Sequence, residues 1–143
     1  MIEYSGAIKM FNWIRRWFKK EEEFKAEPRM YLILREDLAY KYIQGAHALA
    51  QYSLSYPEPF QEWCNRHLIC LSVFNGLALK NLVVQFLRAQ NQCGDDSSEN
   101  MVFTTFIEPD LESSLPTALC FFCNDTGPSP FRELIKHLKL ATK

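Results

Sequence analysis

From Met30 onward, apolar positions fall into short runs and helical stripes, separated by turn chemistry. Met30–Leu34 (MYLIL) is a continuous apolar run with aromatic and β-branched members, the pattern of a buried strand, and Arg35-Glu36-Asp37 ends it with three charges. From Tyr40 the period lengthens. Ile43, Ala46, Ala50 and Leu54 recur three and four residues apart and predict the buried face of a helix, with Gln44, His47 and Gln51 as a polar strip along its edge. Gly45, Ala46, Ala48 and Ala50 keep side-chain bulk low. A mid-helix glycine costs about 1 kcal/mol against alanine, so Gly45 marks a close approach.

Tyr56-Pro57-Glu58-Pro59 reads as a turn, and Phe60–Arg66 as a short helix with Phe60 and Trp63 inward. His67–Val73 (HLICLSV) is the second predicted strand. Asn75-Gly76 is a turn signal, and Leu77–Gln90 follows as a helix with Leu79, Leu82, Val83 and Phe86 on its core face. Asn91–Asn100 has turn-forming residues and no apolar period, so it reads as an exposed loop. Met101–Ile107 and Thr117–Cys123 are the third and fourth predicted strands, joined through Glu108-Pro109-Asp110 and Glu112–Pro116. After a turn at Asn124–Pro128, Ser129-Pro130 gives an N-cap with proline at the first helical position, and Phe131, Leu134, Ile135 and Leu138 form a stripe. Alternating strands and helices predict one α/β layered domain over residues 30–143, with a four-stranded mixed sheet flanked by helices. The short link between the last two strands predicts an antiparallel pair.

Residues 1–29 form a separate segment. Met10, Phe11, Ile14, Trp17 and Phe18 share one side of a predicted amphipathic helix, with Trp13 at the border and Lys9, Arg15, Arg16, Lys19 and Lys20 around the other side. The apolar run is too short and too interrupted to span a bilayer. Three destinations fit residues 8–20: an anionic membrane surface, a protein partner, or the chain's own domain. Glu21-Glu22-Glu23 weighs against anionic headgroups, and Ala26-Glu27-Pro28 closes the segment as a linker. Met10 stands as an alternative start.

Length and composition then narrow the function classes. The 143 residues suit one core, and 48% hydrophobic residues exclude a disordered chain. Residues 1–29 hold seven Lys/Arg against five Asp/Glu, giving +2; residues 30–143 hold nine against twelve, giving −3. An acidic domain excludes a general nucleic-acid binder and leaves only a local patch. Five cysteines, an odd number without a secretory signal, imply free thiols in a cytoplasmic protein, membrane-associated if the N-terminal segment anchors it. Cys120 and Cys123 have CxxC spacing, but residues three apart on a strand point to opposite faces, so core packing is the favoured reading over a metal or redox site.

The stretch "YLILREDL…IQGAHALAQY" resembles the opening of the type 2 peptidyl-tRNA hydrolases, closest to a short branch found in phages and bacteria. That family opens with a strand ending in a basic residue and an aspartate two places on, here Arg35 and Asp37. A helix follows bearing Gln and then His-Ala, here Gln44 and His47-Ala48. "HLICLSVFNGLALKNLVVQFLRAQ", "FIEPDLESSLPTALCF" and "FRELIKHLKLA" resemble the second strand with its helix, the acidic loop and the closing helix, so the likeness covers about residues 30–143. It implies cleavage of the ester joining a peptide to the 3′ end of tRNA, with no metal and no cofactor. The family's site is assigned to a lysine, a histidine, an aspartate and a threonine. His47 matches by position, Glu108 falls at the aspartate with Asp110 as a competitor, and Thr117 is available as the threonine. The family's lysine lies four residues before the glutamine, where this chain has Tyr40; Lys41 is one place on, about 100° round the helix. The Asp-Ala-Gly-x-Thr pattern is absent, and Glu112 stands near its threonine.

Ester hydrolysis needs an activated water and a group to meet the oxyanion. His47 is the candidate base, Glu108 or Asp110 its orienting acid, and Lys41 or Arg35 the cation; Arg35, Asp37, Gln44 and Thr117 are candidate substrate contacts. Each has a plainer reading: a helix-edge histidine serving structure, turn acids, and a surface Arg35–Asp37 pair. Two functions from different classes remain. One is a peptidyl-tRNA hydrolase; the other is a non-catalytic binding module on the same fold, taking a nucleotide-like or protein ligand. A homodimer fits either.

Overall fold

The computed structural model describes residues 28–93, 102–111, 114–123 and 129–143. Among these, β1 (Arg29–Arg35) leads through α1 (Lys41–Ser55) and α2 (Pro57–Trp63) to β2 (His67–Val73). Then come α3 (Gly76–Cys93), β3 (Phe103–Phe106), β4 (Ala118–Cys123), α4 (Pro130–Ile135) and β5 (Lys139–Leu140). The strands form one sheet in the order β3-β4-β1-β2-β5. β1 and β2 run parallel, while the β1–β4, β3–β4 and β2–β5 pairs are antiparallel. The architecture is α/β with a mixed open sheet of five strands rather than the four expected. The missed strand, Lys139–Leu140, is two residues long and pairs with Leu71 and Ser72. Two residues are too few to show a period.

β1 occupies the middle of the sheet, and both of its faces are covered. Tyr31 and Ile33 pack with Leu71, Val73, Leu119 and Phe121 beneath Leu79, Leu82 and Phe86 of α3 and Phe131 and Ile135 of α4. Met30, Leu32 and Leu34 pack with Ala118, Cys120 and Phe122 beneath Ala48 and Tyr52 of α1 and Trp63 of α2. Burial on both faces is why β1 reads as an unbroken apolar run instead of an alternating one. Cys120 lies in the second cluster and Cys123 in the first, so the two thiols sit on opposite faces of the sheet.

Local chemistry sets the element ends. Pro57, expected in a turn, is instead the first residue of α2, where its missing N–H is no loss. Asn75 caps α3 through its side-chain oxygen, which accepts from Ala78 N at 2.9 Å. Ser129 caps α4, accepting from Arg132 N at 3.4 Å, with Pro130 following as expected. The amphipathic helix expected over residues 8–20 and most of the loop expected at 91–100 lie outside the described residues. No helix among the described residues is long and apolar enough to cross a membrane.

One sequence-based expectation is reversed. Ile43, Ala46, Ala50 and Leu54 lie on the exposed face of α1, while Lys41, Gln44, Gly45, Ala48 and Tyr52 face the sheet. Apart from Tyr52, which is fully buried, the sheet-facing side is made of small residues and two hydrogen-bonded polar side chains, while Ile43 and Leu54 are exposed. The cause is proximity. A Cβ at Gly45 would lie 2.7 Å from Leu34 Cδ2 and 3.2 Å from Leu32 Cδ1, so α1 rests almost directly on β1. Gly45→Val is therefore expected to destabilise the protein by about 1–3 kcal/mol through overpacking. A lowered urea midpoint at unchanged denaturant sensitivity checks this.

Candidate functional site

One end of the sheet gathers the polar residues. β1 and β2 finish there, β3 ends there at Phe106, and β4 starts there at Ala118, paired with both Leu34 and Phe106. Ligands commonly bind at such strand ends in α/β sheets.

A buried hydrogen-bonded chain crosses this end. Gln44 Nε2 donates to Glu108 Oε2 at 3.1 Å, and Gln44 Oε1 accepts from the Thr117 hydroxyl at 2.9 Å. The same hydroxyl lies 3.0 Å from the Phe106 carbonyl, which also accepts Thr117 N at 2.7 Å. One hydroxyl proton is thus shared between two acceptors. A carboxylate only accepts, so the Gln44 amide must turn its NH2 toward Glu108, which fixes its orientation. Thr117 is fully buried and Gln44 nearly so. Both therefore tie α1 to β3 and β4.

His47 stands one turn beyond Gln44 and is exposed. Its ring stacks on Phe106 with centroids 4.6 Å apart and 12° between planes. Phe106 ends β3, two residues before Glu108, so the imidazole and the acidic turn share one side of the sheet. The turn itself closes by Leu111 N donating to Glu108 O at 3.2 Å, with Asp110 exposed within it. Among the described residues His47 makes no hydrogen bond to an acid: Glu108 is bonded by Gln44, and the His47 ring stacks on Phe106.

Lys41 opens α1 with its side chain buried. Its ammonium donates to Glu36 Oε2 at 2.6 Å and to Thr142 Oγ1 at 2.7 Å. Thr142 in turn donates its backbone N–H to Glu36 Oε1 at 2.9 Å and its hydroxyl to Glu36 Oε2 at 2.7 Å, and Tyr42 donates its phenol to the Thr142 carbonyl. This clamp lowers the Glu36 carboxyl from its ordinary 4.5 to about 2; the Lys41 bond is the largest cause, followed by the Thr142 backbone and hydroxyl. A lowered folded-state value means the unfolded chain binds the proton more readily, so stability falls as pH falls. The Glu36 contribution is present above about pH 4.5 and lost on descending toward about pH 2. Urea midpoints of the unmodified protein and Glu36→Gln are expected to differ most near neutral pH and to converge across that window.

Arg35 is also engaged. Its Nε and Nη2 fork onto the two Asp37 oxygens at 3.0 and 2.8 Å, and Nη1 reaches the Pro116 carbonyl at 3.3 Å. The guanidinium holds the Asp37 carboxyl below its usual range. Gly76 leaves room for this arrangement, because a Cβ there would lie 2.7 Å from Arg35 Nη1. The Arg35–Asp37 pair expected from the sequence thus forms, with the arginine buried and oriented toward the loop before Thr117.

The structure brings together Gln44, Thr117 and Glu108, sets His47 beside them, and ties Lys41 and Arg35 to other partners. Glu36, Thr142 and Phe106 were not singled out from the sequence. Glu36 stood unmarked within a run of three charges, and its partner Thr142 lies 106 residues away. A groove of about 660 Å³ is lined by Val73 and Phe74, Leu82 of α3, Leu138 and Leu140, and shares Glu36 and Thr142 with the Lys41 clamp. No protein-family model matches the chain, and no curated protein matches it.

Proposed function

We propose that this chain is an ester hydrolase of peptidyl-tRNA type, with His47 as general base. The observation that supports it is the Thr117–Gln44–Glu108 chain, which ties the first helix to the acidic turn and sets the exposed histidine one helical turn beyond Gln44. These are the positions that carry the resemblance to the type 2 peptidyl-tRNA hydrolases. In this reading an imidazole nitrogen of His47 accepts a proton from water as the oxygen attacks the ester carbonyl. The C–O bond to the tRNA ribose then breaks, the peptide leaves as a carboxylic acid, and the imidazolium returns its proton to the departing 3′ oxygen. Glu108, whose position Gln44 fixes, lends negative charge to the neighbourhood of the imidazolium.

A second reading, a binding module on the same fold, draws on the state of the cations. Lys41 already donates to Glu36 and Thr142, and Arg35 to Asp37 and Pro116, so both cations are held by partners within the chain rather than presented as isolated charges to an oxyanion. Single-turnover incubation of the purified chain with labelled peptidyl-tRNA at low salt separates the two, since weak phosphate contacts are strongest there. Release of free peptide supports the hydrolase. A folded protein that releases none, yet retains the labelled tRNA on a filter, establishes the binder.

A further inference from the structure

From Tyr42 to Tyr56 the chain contains no Asp, Glu, Lys or Arg. Yet α1 lies on the surface: Tyr42, Ile43 and Leu54 are exposed, Leu54 to 84%, with Ala46 and Ala50 exposed between them. A surface helix ordinarily sets charged residues on its outer face. Loss of charge marks the core of a protein interface. It does not suit phosphate, whose affinity comes from Lys and Arg.

We propose that the stretch preceding β1 covers this face, seating Met10, Phe11, Ile14, Trp17 and Phe18 on the stripe Ile43–Ala46–Ala50–Leu54. Entry, reach and fit argue for this occupant. The chain enters β1 at Arg29, and Met30 shares its cluster with Tyr52 and Phe122, so the start of β1 lies toward the Leu54 end of α1. Residues 19–28 span up to about 33 Å when extended, whereas Ile43 and Leu54 lie only about 17 Å apart along the helix. Ala46 and Ala50 leave a shallow trough between Ile43 and Leu54 that large aromatic side chains can fill. The stretch's Lys9, Arg15, Arg16, Lys19 and Lys20 would face a domain of net charge −3, with Glu58 and Glu62 of the adjoining α2 exposed nearby. The proposal does not depend on the chain being an enzyme.

Labelling the full chain with 5-fluorotryptophan tests it, because Trp13, Trp17 and Trp63 give three separable fluorine signals. Trp63 is an internal reference: it is buried and donates to the His67 carbonyl at 2.7 Å, so its signal reports that each variant is folded. The expected result is a Trp17 signal displaced from the free-indole position and unaffected by dilution. It should return to that position in Ile43→Glu and Leu54→Glu, but not in Phe74→Glu, whose exposed ring lies at the end of β2. A free-indole signal in the unmodified chain overturns the proposal. So does a displacement that fades on dilution, which assigns the face to a second copy, or one that appears only with anionic phosphatidylserine vesicles, which assigns the stretch to a membrane.

Discussion

Replacing His47 with alanine is expected to lower peptidyl-tRNA cleavage by about 10²-fold or more, the scale on which a positioned acid–base group acts. His47 is exposed, and surface substitutions usually shift stability by no more than about 0.5 kcal/mol, so lost activity should not reflect unfolding. Lys41→Ala is expected to reduce cleavage less, because its ammonium is spent on Glu36 and Thr142. Glu108→Gln combined with Asp110→Asn should also slow the reaction by removing negative charge beside the imidazole. Single-turnover rates of these proteins check the order. Undiminished cleavage by His47→Ala would remove the proposed base.

Phe86→Ala is expected to destabilise the protein by about 3–5 kcal/mol, the range for truncating a buried aromatic. Phe86 is fully buried, stacks on Phe131 with centroids 4.2 Å apart, and meets Phe103 and Phe121 edge-on at 5.4 and 5.3 Å. Domains of this size are stable by about 5–15 kcal/mol, so the loss is a large share of the total. The cluster joins α3, α4, β3 and β4, and relaxation around one missing ring would disturb all four. Urea unfolding followed by far-ultraviolet circular dichroism measures it; a shift as small as that of an exposed substitution would show that the ring is not central to the core.

Much of the fold was legible because β1, β2 and β4 are apolar enough to mark themselves, and because Ser129-Pro130 and Asn75 carry capping chemistry. Gly45 was legible for a related reason: a costly residue needs a cause, and the cause is Leu34 beneath it. The phase of α1 was not. Periodicity equates apolar with buried, but this helix buries Lys41 and Gln44 because Glu36, Thr142, Thr117 and Glu108 satisfy them. Three of those partners, Glu108, Thr117 and Thr142, lie 64, 73 and 101 residues from the side chains they satisfy, and a linear pattern does not reveal which segments meet. Of the candidates named from the sequence, Glu108, Gln44 and Thr117 are joined by hydrogen bonds, with His47 one helical turn beyond Gln44. That Gln44, and not His47, would hold the Glu108 carboxylate depended on the helix rotation that was misread.

The central place of β1 also bears on how a ribosome can deliver this chain. Its partner on one side, β2, follows directly after α1 and α2, but its partner on the other side is residues 118–123. Through the synthesis of everything between, the run MYLIL therefore presents an unpaired apolar edge, the kind of surface that recruits other strands. Vectorial emergence thus leaves the most aggregation-prone segment half-finished until late. A nascent chain halted before residue 118 has no native means of closing it.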